Sequence, residues 1–323
     1  MVAGASISAE LSEREWLEAL RHLGDAHGSF SELGDAHSAV FVEKQHKVLF
    51  VAFETIFGIR SASETGLPLA FDLCERRDWS HMTLIAHTQS WFRDKSVFGF
   101  VDRLIDYGFF DQFDRVIFYG AGMCGYAAGA FSVAAPGATV LMVAPQATLS
   151  RSVTGWDARF PSARRISFGR RYSDASHLVS AAETAVVLYD PDETEDAMHA
   201  SLFRSDNVIR HRYRRGSAGA IETDLRSLSL IARLAELAAD GQLSAARVAT
   251  ALRARRRHVP YLRALLSRVL SEERPKLTVW LCRAVLAKQP LPRFRHHLER
   301  AEEQLGAQNT ARNADIQPST SQS

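Results

Sequence analysis

Apolar residues change their spacing along the chain, and the changes divide it. Ser8–Leu20 carries apolar positions three and four apart, so residues 1–37 read as a helical lead-in. From Ser38 onward, short β-branched and aromatic runs alternate with helical stretches. Ser38–Val42 and Val48–Phe53 read as a hairpin pair, followed by strands over Met82–Ala86, Arg115–Tyr119, Thr139–Ala144, Ala185–Leu188 and Val208–Tyr213. Between them the 3.6-residue period predicts helices over Leu67–Arg77, Val97–Tyr107, Met123–Ala134, Ala175–Thr184 and Thr194–Phe203. This alternation implies a mainly parallel α/β sheet with helices on both faces and function at the carboxyl ends of the strands.

After Leu225 the β signal stops. Ser227–Ala239, Ser244–Arg257, Val259–Leu270, Lys276–Ala287 and Arg293–Leu305 read as helices, punctuated by Gly241, Pro260, Pro275, Pro290 and Pro292. The chain is thus expected to comprise a lead-in (1–37), an α/β domain (38–226), a helical extension (227–305) and a disordered tail (306–323). The tail is poor in large apolar residues.

Composition adds limits more than chemistry. A chain of 323 residues with 46% hydrophobic and 24% charged residues buries a full core. The net charge of +2 hides an asymmetry: residues 245–300 hold 14 Lys/Arg against three Glu, while residues 1–244 carry a net −7. Cys74, Cys124 and Cys282 are too dispersed for a zinc site or a disulfide framework, so no metal and no cofactor is expected. The first residues lack a secretory pattern and no apolar run is long enough to span a bilayer. A cytoplasmic location is expected.

The most informative stretch is Val116-Ile-Phe-Tyr-Gly120-Ala-Gly122-Met-Cys124-Gly-Tyr126. A strand-like run ends in small residues and flows into a helix. This is the layout of the turn that presents a nucleophile in the pattern G-x-S-x-G, but the apex position holds Gly122. With its lead-in Phe113-Asp-Arg-Val and the later Ala144-Pro-Gln-Ala-Thr-Leu149, the segment resembles a bacterial group of α/β-hydrolase-like proteins. Their elbow typically reads Tyr-Gly-x-Ser-Met-Gly-Gly-Tyr-Ala-Ala. The resemblance extends from about Ser38 to Glu303.

That resemblance implies an α/β-hydrolase-like fold and a Ser–acid–His triad in chain order. The nucleophile is missing at Gly122. Cys124, two residues on, is a displaced nucleophile candidate, although a small buried side chain is the simpler reading. The acid falls at Asp190 or, second, Asp192, which also fit a turn opener and a helix cap. The base position falls near Ser217 where the group has histidine, and no histidine occurs between His211 and His258. Backbone N–H groups at Met123 and near Phe53–Glu54 are the oxyanion candidates. His87 and Trp91 are placed to line the same crevice.

Other chemistries fit less well. Members of this group are sometimes labelled phosphoadenosine-phosphosulfate reductases, but no phosphate loop or catalytic cysteine motif is present. Gly120, Gly122 and Gly125 match a dinucleotide fingerprint by spacing alone. The basic helices admit an anionic polymer or nucleic acid as partner, a reading disfavoured because no nucleic-acid motif accompanies the charge. The expectation is a hydrolase-derived binding or scaffold protein, with an unidentified small molecule or protein as partner and an open oligomeric state. The resemblance implies a cell-envelope or polysaccharide setting. A live hydrolase or acyltransferase using Cys124 or another loop residue is the alternative.

Overall fold

The computed structural model describes residues 5–8, 10–169, 171–214 and 221–314. Its strands are β1 (Gly28–Glu32), β2 (His37–Val42), β3 (His46–Thr55), β4 (Trp79–Ala86), β5 (Arg115–Ala121), β6 (Thr139–Val143), β7 (Thr184–Tyr189) and β8 (Val208–Arg212). They form one eight-stranded sheet in the order β1-β2-β4-β3-β5-β6-β7-β8. β1 and β2 run antiparallel to their neighbours, and from β4 to β8 every pairing is parallel. The mainly parallel sheet was legible; the mixed edge was not.

The expected hairpin between Ser38–Val42 and Val48–Phe53 does not form, because β4 lies between the two strands. Residues 43–45 cross the amino end of β4, where the Lys44 N–H donates to Ser80 Oγ at 2.9 Å and the His46 N–H to the Asp78 carbonyl at 3.2 Å. β3 is buried from Val48 to Glu54, as a central parallel strand requires. The lead-in also differs. It holds α1 (Glu13–His27), opened by a Ser12/Glu15 capping box, and then the edge strand β1.

The remaining helices of the sheet-bearing unit are α2 (Ile56–Ala62), α3 (Leu69–Glu75), α4 (Lys95–Asp106), α5 (Met123–Phe131), α6 (Arg151–Thr154), α7 (Ala175–Leu178), α8 (Thr194–Leu202), α9 (Ile221–Ser227), α10 (Leu230–Ala239) and α11 (Ala245–Leu252). One face of the sheet packs Val51, Phe53, Phe118 and Val140 with Val97, Tyr126 and Phe131. The other packs Phe50, Ile117, Leu141 and Val186 with Leu230, Ile231, Leu234 and Leu252. The helical run expected as one extension from residue 227 is therefore divided. α10 and α11 bury their apolar faces on the sheet, and the unit runs through Leu252.

A second unit begins at Arg253 and contains α12 (Val259–Ser271), α13 (Pro275–Leu286) and α14 (Pro292–Ala314). Its core is Tyr261, Leu262, Leu266, Cys282, Val285 and Phe294. α14 continues through Gly306 to Ala314, so the first part of the expected tail is helical; residues 315–323 lie outside the described residues. No described helix is long and apolar enough to cross a membrane.

Candidate functional site

β5 ends at Ala121, α5 starts at Met123, and Gly122 makes the whole turn at φ 56° and ψ −123°. Its N–H donates to the Val143 carbonyl at 2.8 Å, while its own carbonyl accepts the Tyr126 N–H at 3.0 Å and starts the helix. A Cβ at Gly120 would lie 2.1 Å from the Cys124 carbonyl oxygen, so that position admits only glycine. A Cβ at Gly122 would meet nothing within 4 Å. The apex has room for a side chain and carries none.

Non-glycine residues in left-handed backbone stand on the neighbouring strand ends. Trp91 and Phe92 (φ 58° and 53°) follow β4, and Ala144 (φ 44°) follows β6. Such conformations cost about 1–3 kcal/mol each and gather where a site is held in shape. Ala144 directly follows β6, while Trp91 and Phe92 lie in the loop after β4.

Of the expected acid and base positions, the described residues include only the acid candidates. Asp190 is buried at the end of β7, where its Oδ1 accepts the Asp192 N–H at 3.0 Å, the geometry of a turn opener. Asp192 pairs with Arg214 at 3.4 Å. Ser217 lies outside the described residues. Cys124 is buried, and burial, reinforced by Glu222 and Glu54, pushes its thiol well above the ordinary range. A displaced nucleophile needs the opposite shift.

The oxyanion candidates separate by position. Phe53 and Glu54 are still inside β3, which pairs with β4 through Thr55. Phe53 is buried edge-on against Phe92 and stacked on Phe131. Glu54 is 4% exposed and accepts from the Leu69 N–H and Arg226 Nη2, each at 2.9 Å. Burial raises its pKa while Arg226 opposes the rise. Arg226 also donates to Glu222 at 2.8 Å, and Glu222 accepts from Tyr119 at 2.9 Å. This buried chain ties α9 to β3 and β5. Met123 is the first residue of α5, so its N–H has no intrahelical partner.

Trp91 does not line the crevice with its side chain. The indole is 1% exposed and packs edge-on against Tyr126, Phe160 and Phe168. Its backbone faces the elbow instead: the Trp91 N–H points at Met123 Sδ, 3.2 Å away. His87 is half-buried, with Nε2 3.2 Å from Ser38 Oγ and Nδ1 3.3 Å from the Asp35 carbonyl.

Two pairs were missed by reading the sequence. Ser90 Oγ lies 2.5 Å from Nε2 of His37, which opens β2. The two are 53 residues apart, and only the β2–β4 pairing, His37 opposite Ala86, joins them. The second pair is fully buried: His199 Nε2 lies 2.9 Å from Asp157 Oδ2. The Ala147 N–H donates to His199 Nδ1 at 3.1 Å, so the ring proton sits on Nε2 and neither nitrogen is available to a substrate. Burial pushes the Asp157 carboxyl up, but hydrogen bonds from Arg159 and His199 outweigh it and hold it at about 2. This network fixes the Pro145–Leu149 segment beside the elbow. Among the described residues no cluster of His, Cys, Asp and Glu is suited to a metal.

No family model matches the chain, and no curated protein matches its sequence. Solved structures similar to it include the Gap123 glycosylation-associated protein complex of Streptococcus agalactiae (16% identity over 64% of this chain, TM-score 0.45). The match spans 45% of that protein's chain. Others are the capsule O-acetyltransferase of Neisseria meningitidis serogroup A (10% identity, 64% of this chain and 94% of that one, TM-score 0.40) and the serine hydrolase FphF of Staphylococcus aureus (9%, 64% and 96%, 0.41). Likeness at this level says nothing of chemistry.

Proposed function

We propose that this chain is a hydrolase-derived protein whose crevice at the carboxyl ends of β4, β5 and β6 serves to bind, with no Ser–His–acid chemistry at the elbow. The observation that carries this reading is the apex itself. Gly122 keeps the backbone of a nucleophile-bearing turn and the open space above it, yet supplies no attacking atom.

Restoring the nucleophile tests the reading. Gly122→Ser in a Ser90→Ala background, assayed with p-nitrophenyl acetate, is expected to give no turnover above the Ser90→Ala single variant, because the sequence offers no histidine between His211, inside β8, and His258 to take the proton. A gain of about 100-fold or more would mean that the elbow keeps a working base, and the reading would fall.

A further inference from the structure

The loop after β4 holds what the elbow lacks. Ser90 is partly exposed at the carboxyl end of a parallel strand, and its Oγ is 2.5 Å from His37 Nε2. The backbone turns sharply behind it, with Trp91 and Phe92 both in left-handed conformation. That turn carries two consecutive N–H groups with different partners. The Phe92 N–H reaches Ser90 Oγ at 3.2 Å, and the Trp91 N–H has only the Met123 thioether, a weak acceptor. The same contact places the loop against the first residue of α5, one position from the vacant apex.

His37 is positioned as a base. Its ring is 1% exposed and rests against Phe92, with centroids 5.5 Å apart. Burial pushes it down to about 4, so the ring is neutral near pH 7 and Nε2 can accept the Ser90 hydroxyl proton. Nδ1 is buried without a hydrogen-bond partner, and the tautomer protonated there is the one whose Nε2 lone pair faces Ser90 Oγ. Asp94 and His87 are the titratable groups that act on it. Asp94 favours the imidazolium that would form, and His87 opposes it.

We propose that Ser90 and His37 are a relocated nucleophile–base pair that accepts an acyl group from a carboxylic ester in the crevice whose elbow has lost its serine. Ser90 Oγ bonds to the ester carbon while its proton passes to His37 Nε2. The carbon–alkoxide bond then breaks, and the alkoxide leaves as the alcohol with that proton. Water, deprotonated by the same nitrogen, cleaves the acyl-serine, releases the carboxylic acid and restores Ser90. The Trp91 N–H, moving from a thioether to a developing oxyanion, exchanges a poor partner for a strong one. This goes beyond the binding reading by adding chemistry at the end of β4 to a crevice read there as binding; the denial of chemistry at the elbow stands or falls separately.

The test is a fluorophosphonate probe on the full chain at pH 7.5, with peptide mapping. Phosphonylation is expected at Ser90, with loss of fluoride, complete absence in Ser90→Ala, and labelling slowed about 100-fold or more in His37→Gln. A folded wild-type protein that stays unlabelled, or labels elsewhere, overturns the proposal without reference to any variant. Labelling of Ser90 at an unchanged rate in folded His37→Gln overturns it too, since a lone reactive serine needs no such pair. Should His37→Gln not fold, His37→Asn takes its place with the same two readings, and the absence of a p-nitrophenyl acetate burst equal to the enzyme concentration in wild type decides against the pair.

Discussion

Arg226 bridges Glu54 and Glu222 through one terminal nitrogen, 2.9 Å from the first carboxylate and 2.8 Å from the second. Glu54 sits at the end of β3 and Glu222 in the first turn of α9, so this guanidinium holds α9 against the sheet beneath the elbow. Removing one member of a buried charged network leaves the others uncompensated. Arg226→Met is therefore expected to destabilise the protein by about 3–5 kcal/mol in urea unfolding. Adding Glu54→Gln should recover part of that loss, and strict additivity would show that the two do not interact.

The two glycines of the turn should behave differently. Gly120→Ala forces a Cβ to 2.1 Å from a backbone oxygen and should cost more than about 3 kcal/mol or prevent folding. Gly122→Ser meets open space and bears only the strain of its positive φ, about 1–3 kcal/mol. Melting temperatures in the reverse order would contradict the geometry of the elbow.

All three cysteines are buried, and burial raises each thiol above its ordinary value. Native protein at pH 7.5 should show no rapidly reacting thiol towards a chromogenic disulfide, with three appearing on denaturation. Prompt modification of Cys124 in the folded state would revive it as a nucleophile.

Acid should weaken the fold earlier than carboxylates alone would dictate. His37 and His81 are pushed by burial to about 4 and about 3, and His199 is lowered by the same cause. Above about pH 6.5 these rings are neutral folded or unfolded and contribute no pH dependence. Below it the unfolded chain binds protons that the folded one refuses. Stability should fall from about pH 6.5 towards 4, at up to about 1.4 kcal/mol per pH unit for each ring. Asp157, held at about 2, adds a loss only between about pH 4 and 2. Urea midpoints that stay level from pH 7 to 5 would be inconsistent with neutral buried histidines.

The sheet-bearing unit should be separable at its observed end. A chain stopping at Leu252 keeps α10 and α11 on the sheet and is expected to unfold cooperatively, whereas one stopping at Arg226 exposes the face they cover and should aggregate.

Most strands and helices were legible because their period is a local property. The place of β3 was not, since a three-residue link looks like a hairpin until a later strand, β4, slips between its ends. The elbow was readable down to Gly122 because its sequence and its turn are contiguous. Pairs such as Ser90–His37 and His199–Asp157 are not contiguous, and no spacing rule joins residues 53 or 42 positions apart. The missing hydroxyl was visible in the sequence. A candidate replacement was not.

The packing around the elbow also sets which of its positions can change. An added carbon would meet a neighbour at 2.1 Å at Gly120, 2.9 Å at Gly129 and 3.2 Å at Gly125, so drift there disturbs the packing. Gly122 is the one position of the turn where a smaller residue relieves torsional strain and disturbs no neighbour. Mutation away from a nucleophile at this apex runs downhill in stability, while mutation of its glycine neighbours runs uphill. A lineage released from selection on catalysis would shed the reactive residue first and its pedestal last.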